Sequence, residues 1–143
     1  QTEETSYIEA ASFEELVRRS DAISLHCPAD GNKDLFTDDT FAAMKKNAVI
    51  INVARGGIIN EQALSRALDK GIIAGAGIDC MENEPMPANA EIFRHNNLIV
   101  TPHMAWYSEE AAEEMKRKVA EEAVRFAKGE PIHYPVNHSE VRR

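Results

Sequence analysis

The stretch N-A-V-I-I-N-V-A-R-G-G, residues 47–57, decides how the chain is read. Its apolar run, residues 48–53, is interrupted only by Asn52 and halts at Arg55-Gly56-Gly57. A short, continuous, β-branched run of this kind predicts a strand buried on both faces, as in a parallel sheet covered by helices. The glycine pair lets the backbone turn sharply and lie close to a neighbour. Arg55 then stands at the carboxyl end of a buried strand, where open α/β sheets place their ligands. A guanidinium there suits a bidentate grip on a carboxylate, although capping a helix or pairing with a surface acid would occupy it equally well.

The flanks repeat the alternation. Ser12-Phe13-Glu14-Glu15 fits a capping box and predicts a helix over 13–19 with Phe13, Leu16 and Val17 facing inward. A strand over 21–26 ends at His26-Cys27-Pro28, and 29–33 is a turn-rich loop. Thr37 is placed to cap a second helix through Met44, and Asn60 a third over 61–70, with Leu64 and Ala67 on one face and Gly71 as its stop. A Gly-interrupted strand spans 72–79, a Pro-containing loop 81–90, and a short strand over 97–100 leads into Thr101-Pro102-His103. Ser108 opens the longest helix, 109–128, with Met115, Val119, Ala123 and Phe126 as its apolar stripe and Gly129 as its end. Its glutamates read as a solvated face. Strands alternating with helices imply an α/β fold with a parallel sheet and helices on both faces.

At 143 residues and 43% hydrophobic content, the chain is expected to be one globular domain by length. No apolar run approaches the roughly 20 residues of a membrane span, and the start shows no signal-peptide pattern. The chain does not begin with Met, so a trimmed or truncated protein is expected. A net charge of −8 argues against nucleic acid or an anionic membrane as partner. Cys27 and Cys80 are too few and too far apart for a disulfide framework and suit a cytoplasmic protein.

Three strands finish in a polar residue and a turn, at His26, Arg55 and Asp79, and a fourth stops just before His103. Unlike polar groups gathered at equivalent strand ends suggest an active site. Arg55 would orient a substrate carboxylate, and His103 would give and take a proton at a neighbouring carbonyl oxygen. Asp79, Glu82 and Glu84 are the candidate acids to hold that imidazole. This set suits reduction of a 2-oxo acid by a nicotinamide hydride. His95, His133 and His138 read as structural or surface residues. No metal is expected: His26, Cys27, Cys80 and His103 lack CxxC or HxxxH spacing. Cys27 or Cys80 as a nucleophile beside a histidine is a further option, against which an inert buried thiol is set. Gly75-Ala76-Gly77-Ile78-Asp79-Cys80 is rejected as a phosphate cradle, because it lies inside a strand and ends in Cys80.

Ser24-Leu25-His26-Cys27-Pro28, Met44-Lys45 through Ile51-Asn52-Val53-Ala54-Arg55-Gly56-Gly57, Gly77-Ile78-Asp79 through Glu84-Pro85, and Thr101-Pro102-His103 resemble the D-isomer-specific 2-hydroxyacid dehydrogenases. The likeness runs from Ser12 to about Asn137. It implies Arg55, Glu84 and His103 as catalytic residues: carboxylate anchor, partner of the imidazole, and acid/base. It also implies that His26, Cys27, Pro28, Val53, Ala54, Arg55, Asp79 and His103 line NAD or NADP, with Asp79 at the nicotinamide carboxamide. Residues 1–105 resemble the later part of a Rossmann-type nucleotide-binding domain, and 106–143 the helix and tail that return toward a substrate domain. The family's substrate domain and its first strand–helix–strand with G-x-G-x-x-G are missing, which would leave an open sheet edge beside the His26 strand. Another copy or the missing part is expected to cover that edge. The resemblance implies a homodimer, a small 2-oxo or 2-hydroxy acid as substrate, and no activity from this chain alone. Two other readings stand beside it: a dinucleotide-sensing, corepressor-like module on the same fold, and an inert fragment.

Overall fold

The structure is a computed structural model and describes residues 9–136. The element order is α1 (Phe13–Arg19), β1 (Ala22–Leu25), α2 (Asp38–Ala43), β2 (Val49–Asn52), α3 (Glu61–Asp69), β3 (Gly75–Ile78), a 3-10 turn (Glu91–Arg94), β4 (Leu98–Val100) and α4 (Glu109–Lys128). The strands form one parallel sheet in the order β1-β2-β3-β4. Among the described residues β1 and β4 are its edges, so the open side beside His26 is present as expected.

Local chemistry sets the element boundaries. Ser12 and Glu15 close the expected capping box: the Glu15 N–H donates to Ser12 Oγ (3.2 Å) and the Ser12 N–H to Glu15 Oε2 (3.5 Å). Asn60 caps α3 by accepting from the Ala63 N–H at 2.9 Å. Thr37 stands at the N-cap of α2 without capping it. The nearby Thr40 hydroxyl donates back to the Leu35 carbonyl, and Asp38 and Asp39 supply the negative charge that the helix start favours.

The core lies on one face of the sheet. Ile23 and Leu25, Ile50 and Asn52, and Ala76 and Ile78 alternate inward and join Phe36, Phe41, Leu64, Ala67 and Leu68 from α2, α3 and their approaches. The opposite face corrects the expectation of burial on both sides. In register across it stand Ser24, Ile51, Gly77 and Ile99, and Ile51 is 38% and Ile99 71% exposed. A continuous apolar run records that a strand is apolar on both faces, not that both are covered by the residues at hand. Likewise only Val17 of α1 is buried, while Phe13 and Leu16 remain exposed.

The chain divides into two compact units, one ending at Ala105 and one beginning at Trp106. In the second, Ser108 caps α4 by accepting from the Ala111 N–H (3.0 Å), and Gly129 ends it in the left-handed conformation (φ 71°) that glycine adopts at low cost. Arg117–Glu121 and Lys118–Glu114 pairs line its polar face. The expected stripe is not a buried one: Met115, Val119, Ala123 and Phe126 are all exposed, and α4 buries no residue.

Candidate active site

Because the four strands are parallel, their carboxyl ends share one edge of the sheet. His26 follows β1 directly, Arg55 follows β2 by three residues, Asp79 follows β3 directly, and His103 follows β4 by three. The alternation of sequence elements therefore delivers all four residues to the same rim, as open α/β sheets do for ligand sites.

Of the three candidate acids, Glu84 takes the imidazole. His103 Nδ1 lies 2.7 Å from Glu84 Oε2. Hydrogen bonding from His103 comes first, and the Met81 N–H, which donates to Glu84 Oε1 at 2.8 Å, second in holding the Glu84 carboxyl below its ordinary range. An ionised carboxylate only accepts, so the proton between the two sits on Nδ1. Glu82 turns elsewhere: its N–H donates to Glu61 Oε1 and its carboxylate stands 3.7 Å from Lys33 Nζ.

Asp79 is buried and serves the same loop through backbone bonds. Its Oδ1 accepts from the Thr101 hydroxyl and the Met104 N–H (2.9 Å), and its Oδ2 from the Ala105 N–H (2.8 Å). Burial pushes the Asp79 carboxyl up, but Thr101, the Ala105 and Met104 amides and the charge of His103 together bring it below its usual value. This clamp surrounds His103, whose φ of 54° lies in the left-handed region that non-glycine residues enter at a cost of about 1 kcal/mol or more. Surrounding bonds therefore have to impose the conformation, and Asp79 provides three of them.

Arg55 sits on the rim with its Nη1 donating to the Ala54 carbonyl at 2.6 Å. Its loop is fixed from beneath by Asn52, whose Oδ1 accepts from the Ala54 N–H (3.1 Å) and whose Nδ2 donates to the Arg55 carbonyl (2.8 Å). Gly56 lies against the Met81–Glu82 backbone so closely that a Cβ would fall 1.9 Å from the Met81 carbonyl oxygen. The Arg55 loop and the loop bearing Glu84 thus touch, and only glycine permits it. Cys80 reports the same convergence. Burial first, then the charges of Glu84 and Asp79, push its thiol up to about 11, while Arg55 pulls it down. Such a thiol is protonated and inert near neutral pH, which removes the nucleophile option for Cys80.

An open cavity of about 640 Å³ adjoins the pair, with Glu84, His103 and Asp79 on its wall and Met86, Phe93 and Pro102 as its apolar side. His26 is exposed beside β1 with its Nε2 2.8 Å from Ser24 Oγ, and Cys27 and Pro28 continue the rim. His95 is structural: it is buried, its Nε2 2.7 Å from Ser65 Oγ and its Nδ1 3.5 Å from Asp69. His138 lies outside the described residues. Asn52 and Thr101 were missed, whereas the close approach at Gly56 is the one expected of the glycine pair. The lone polar residue in an apolar strand was the available signal for Asn52.

Residues 1–105 match the family model described as D-isomer specific 2-hydroxyacid dehydrogenase, NAD binding domain. The chain belongs to this family. It is 41% identical over 131 residues to D-3-phosphoglycerate dehydrogenase 2, chloroplastic, of Arabidopsis thaliana, a span covering 91% of this chain and 21% of that protein. With the glyoxylate reductase of Thermococcus litoralis the identity is 40%, covering 91% of this chain and 39% of the other. The crystal structure of D-lactate dehydrogenase with NAD+ from Lactobacillus jensenii superposes with a TM-score of 0.86 at 28% identity, over 96% of this chain and 46% of that one. The chain therefore spans between 21% and 46% of the length of these relatives. All three are named for dehydrogenase or reductase activity, which does not favour the corepressor-like reading.

The residues present fit one end of a dinucleotide. Asp79 Oδ2 accepts from the Ala105 N–H among the described residues, and a carboxylate oxygen can accept a second bond, while Val53 offers an exposed apolar side chain at the rim. Both polar atoms of the Ala54 peptide are already engaged, by Asn52 and Arg55. The stretch Gly75 to Cys80 does not form a phosphate cradle, because Gly75–Ile78 is β3, and Gly75 is needed where a Cβ would meet the Asn97 carbonyl at 2.8 Å.

Proposed function

We propose that this chain carries the catalytic residues of an NAD(P)-dependent D-2-hydroxyacid dehydrogenase, which interconverts a 2-oxo acid and its D-2-hydroxy acid. The observation that carries the reading is the 2.7 Å His103–Glu84 pair on the same rim as Arg55. A nicotinamide bound here would supply or accept the hydride at C2 of the acid. Arg55 grips the substrate carboxylate with its fork and draws charge toward the adjacent carbonyl oxygen. His103 delivers the proton from Nε2 to that oxygen during reduction and recovers it during oxidation. Glu84 holds the ring by Nδ1 and fixes its orientation. Asp79 would hold the carboxamide, and the backbone at His26-Cys27-Pro28 and Val53-Ala54 would line the cofactor.

The parent protein would work in the cytoplasm as a homodimer, and α4 with its exposed Met115, Val119 and Phe126 would return to the substrate domain. The open edge of β1 would be paired by the rest of the protein or by another copy. Two thiols outside any disulfide support the cytoplasmic part. No helix among the described residues is long and apolar enough to cross a membrane.

The test is NADH oxidation with glyoxylate, hydroxypyruvate, pyruvate and phosphohydroxypyruvate, by this chain and by the longest protein that carries it. Turnover of at least one acid by the longer protein, and none by this chain, is expected. A longer protein that binds NADH and a protein partner but turns over none of the acids would overturn the reading in favour of a sensor.

A further inference from the structure

Asn52 is the polar residue that breaks the apolar run, and it stands at the last position of β2, only 2% exposed. An amide in such a place costs stability unless both ends are bonded. Both are, and every bond serves the rim. The side chain accepts from the Ala54 N–H and donates to the Arg55 carbonyl, closing the turn on which Arg55 is mounted. The Asn52 carbonyl accepts from the Asp79 N–H at 2.9 Å and from the Cys80 thiol at 3.7 Å. One residue thus ties the Arg55 turn to the end of β3, where Asp79 holds the His103 loop.

We propose that Asn52 is a positioning residue for substrate binding: its side-chain amide sets the direction in which Arg55 presents its guanidinium to the carboxylate of the 2-oxo acid. The inference rests on the dehydrogenase reading above. The turn needs an acceptor facing Ala54 and a donor facing Arg55, held in that order at one distance from the strand. Aspartate keeps the shape and the acceptor but sets a carboxylate oxygen against the Arg55 carbonyl. Serine is shorter and keeps one hydroxyl. A bidentate grip on a carboxylate depends on the plane and direction of the guanidinium, so a turn released at its base loses substrate binding before it loses chemistry.

The experiment uses the complete protein, as wild type and as Asn52→Asp, Asn52→Ser, Arg55→Ala and the Asn52→Asp/Arg55→Ala double variant. NADH dissociation constants and steady-state kinetics with the best acid of the panel are the readouts. Asn52→Asp and Asn52→Ser are expected to raise KM for the acid at least about tenfold while NADH affinity stays within about twofold. In the Arg55→Ala background Asn52→Asp is expected to add almost nothing, because the two residues act as one unit. An unchanged KM for the acid, or losses that simply add in the double variant, overturns the inference. Loss of NADH affinity in both Asn52 variants also overturns it, since Asn52 would then serve the whole fold. A wild type that binds NADH but turns over no acid removes the dehydrogenase reading and this inference together, whereas an active wild type with indifferent Asn52 variants removes only the inference.

Discussion

Asp79→Asn tests the clamp beneath His103 with almost no change of shape. The carboxylate accepts from the Thr101 hydroxyl and two backbone amides, those of Met104 and Ala105. An asparagine keeps one acceptor oxygen. The least damaging orientation leaves that oxygen toward Thr101 and Met104 and points an NH2 at the Ala105 N–H. One charge-assisted bond is then lost and two become neutral, where a charged bond contributes about 1.5–3 kcal/mol and a neutral one about 1. Solvent around residues 101–105 recovers part of this, leaving an expected loss near 2 kcal/mol. At about 1.4 kcal/mol per factor of ten, that is roughly a thirtyfold faster exchange of the Met104 and Ala105 amides if they open locally. Native-state hydrogen exchange read residue by residue measures it. The sign with pH follows from the depressed carboxyls of Asp79 and Glu84. Their contribution is fully present above the ordinary carboxyl values near 4 and is lost as pH falls through the lower native ones, so wild-type protection should hold from pH 7 to about 4 and decline only below. Unchanged exchange at both amides in Asp79→Asn would refute the clamp.

Two further substitutions probe the frame. Gly56→Ala forces a Cβ onto the Met81 carbonyl, 1.9 Å away where ordinary contact begins near 3.4 Å; backbone must move, and a loss of about 1–3 kcal/mol or more is expected. A drop in melting temperature together with weaker substrate binding checks it, and a neutral variant would refute the close approach. Leu64→Ala in the middle of α3 empties a fully buried site, with an expected cost of about 3 kcal/mol in urea unfolding.

The sequence was informative at most places where a local rule governs, the Thr37 cap being the exception. The Ser12–Glu15 box, the Asn60 and Ser108 caps and the Gly129 stop depend on residues within four positions of one another, and all form. The strand ends were legible because parallel strands alternating with helices must deliver their carboxyl ends to one edge. What was not legible depends on partners distant in sequence. By residue type and spacing alone Glu82 and Glu84 are equivalent acids in a loop, and only the family resemblance singles out Glu84; the fold turns Glu82 toward Lys33 and Glu84 onto His103. Burial of Ile51, Ile99 and the α4 stripe was overstated because apolar character shows that a surface seeks a partner, and that partner need not be in the chain. The 3-10 turn at Glu91–Arg94 is too short for any periodicity to reveal. Asn52 carried a visible signal, one polar residue inside an apolar strand, whose meaning emerged only with the turn above it.

The central claim is that His103, held by Glu84, moves the proton. Its most direct test is single-turnover hydride transfer from NADH to the best acid of the panel in the complete protein, wild type against His103→Ala. The account predicts a rate at least about a hundredfold lower in the variant, with NADH affinity and melting temperature near the wild-type values. A variant that transfers hydride within a few-fold of the wild-type rate would take His103 out of the chemistry and contradict the account.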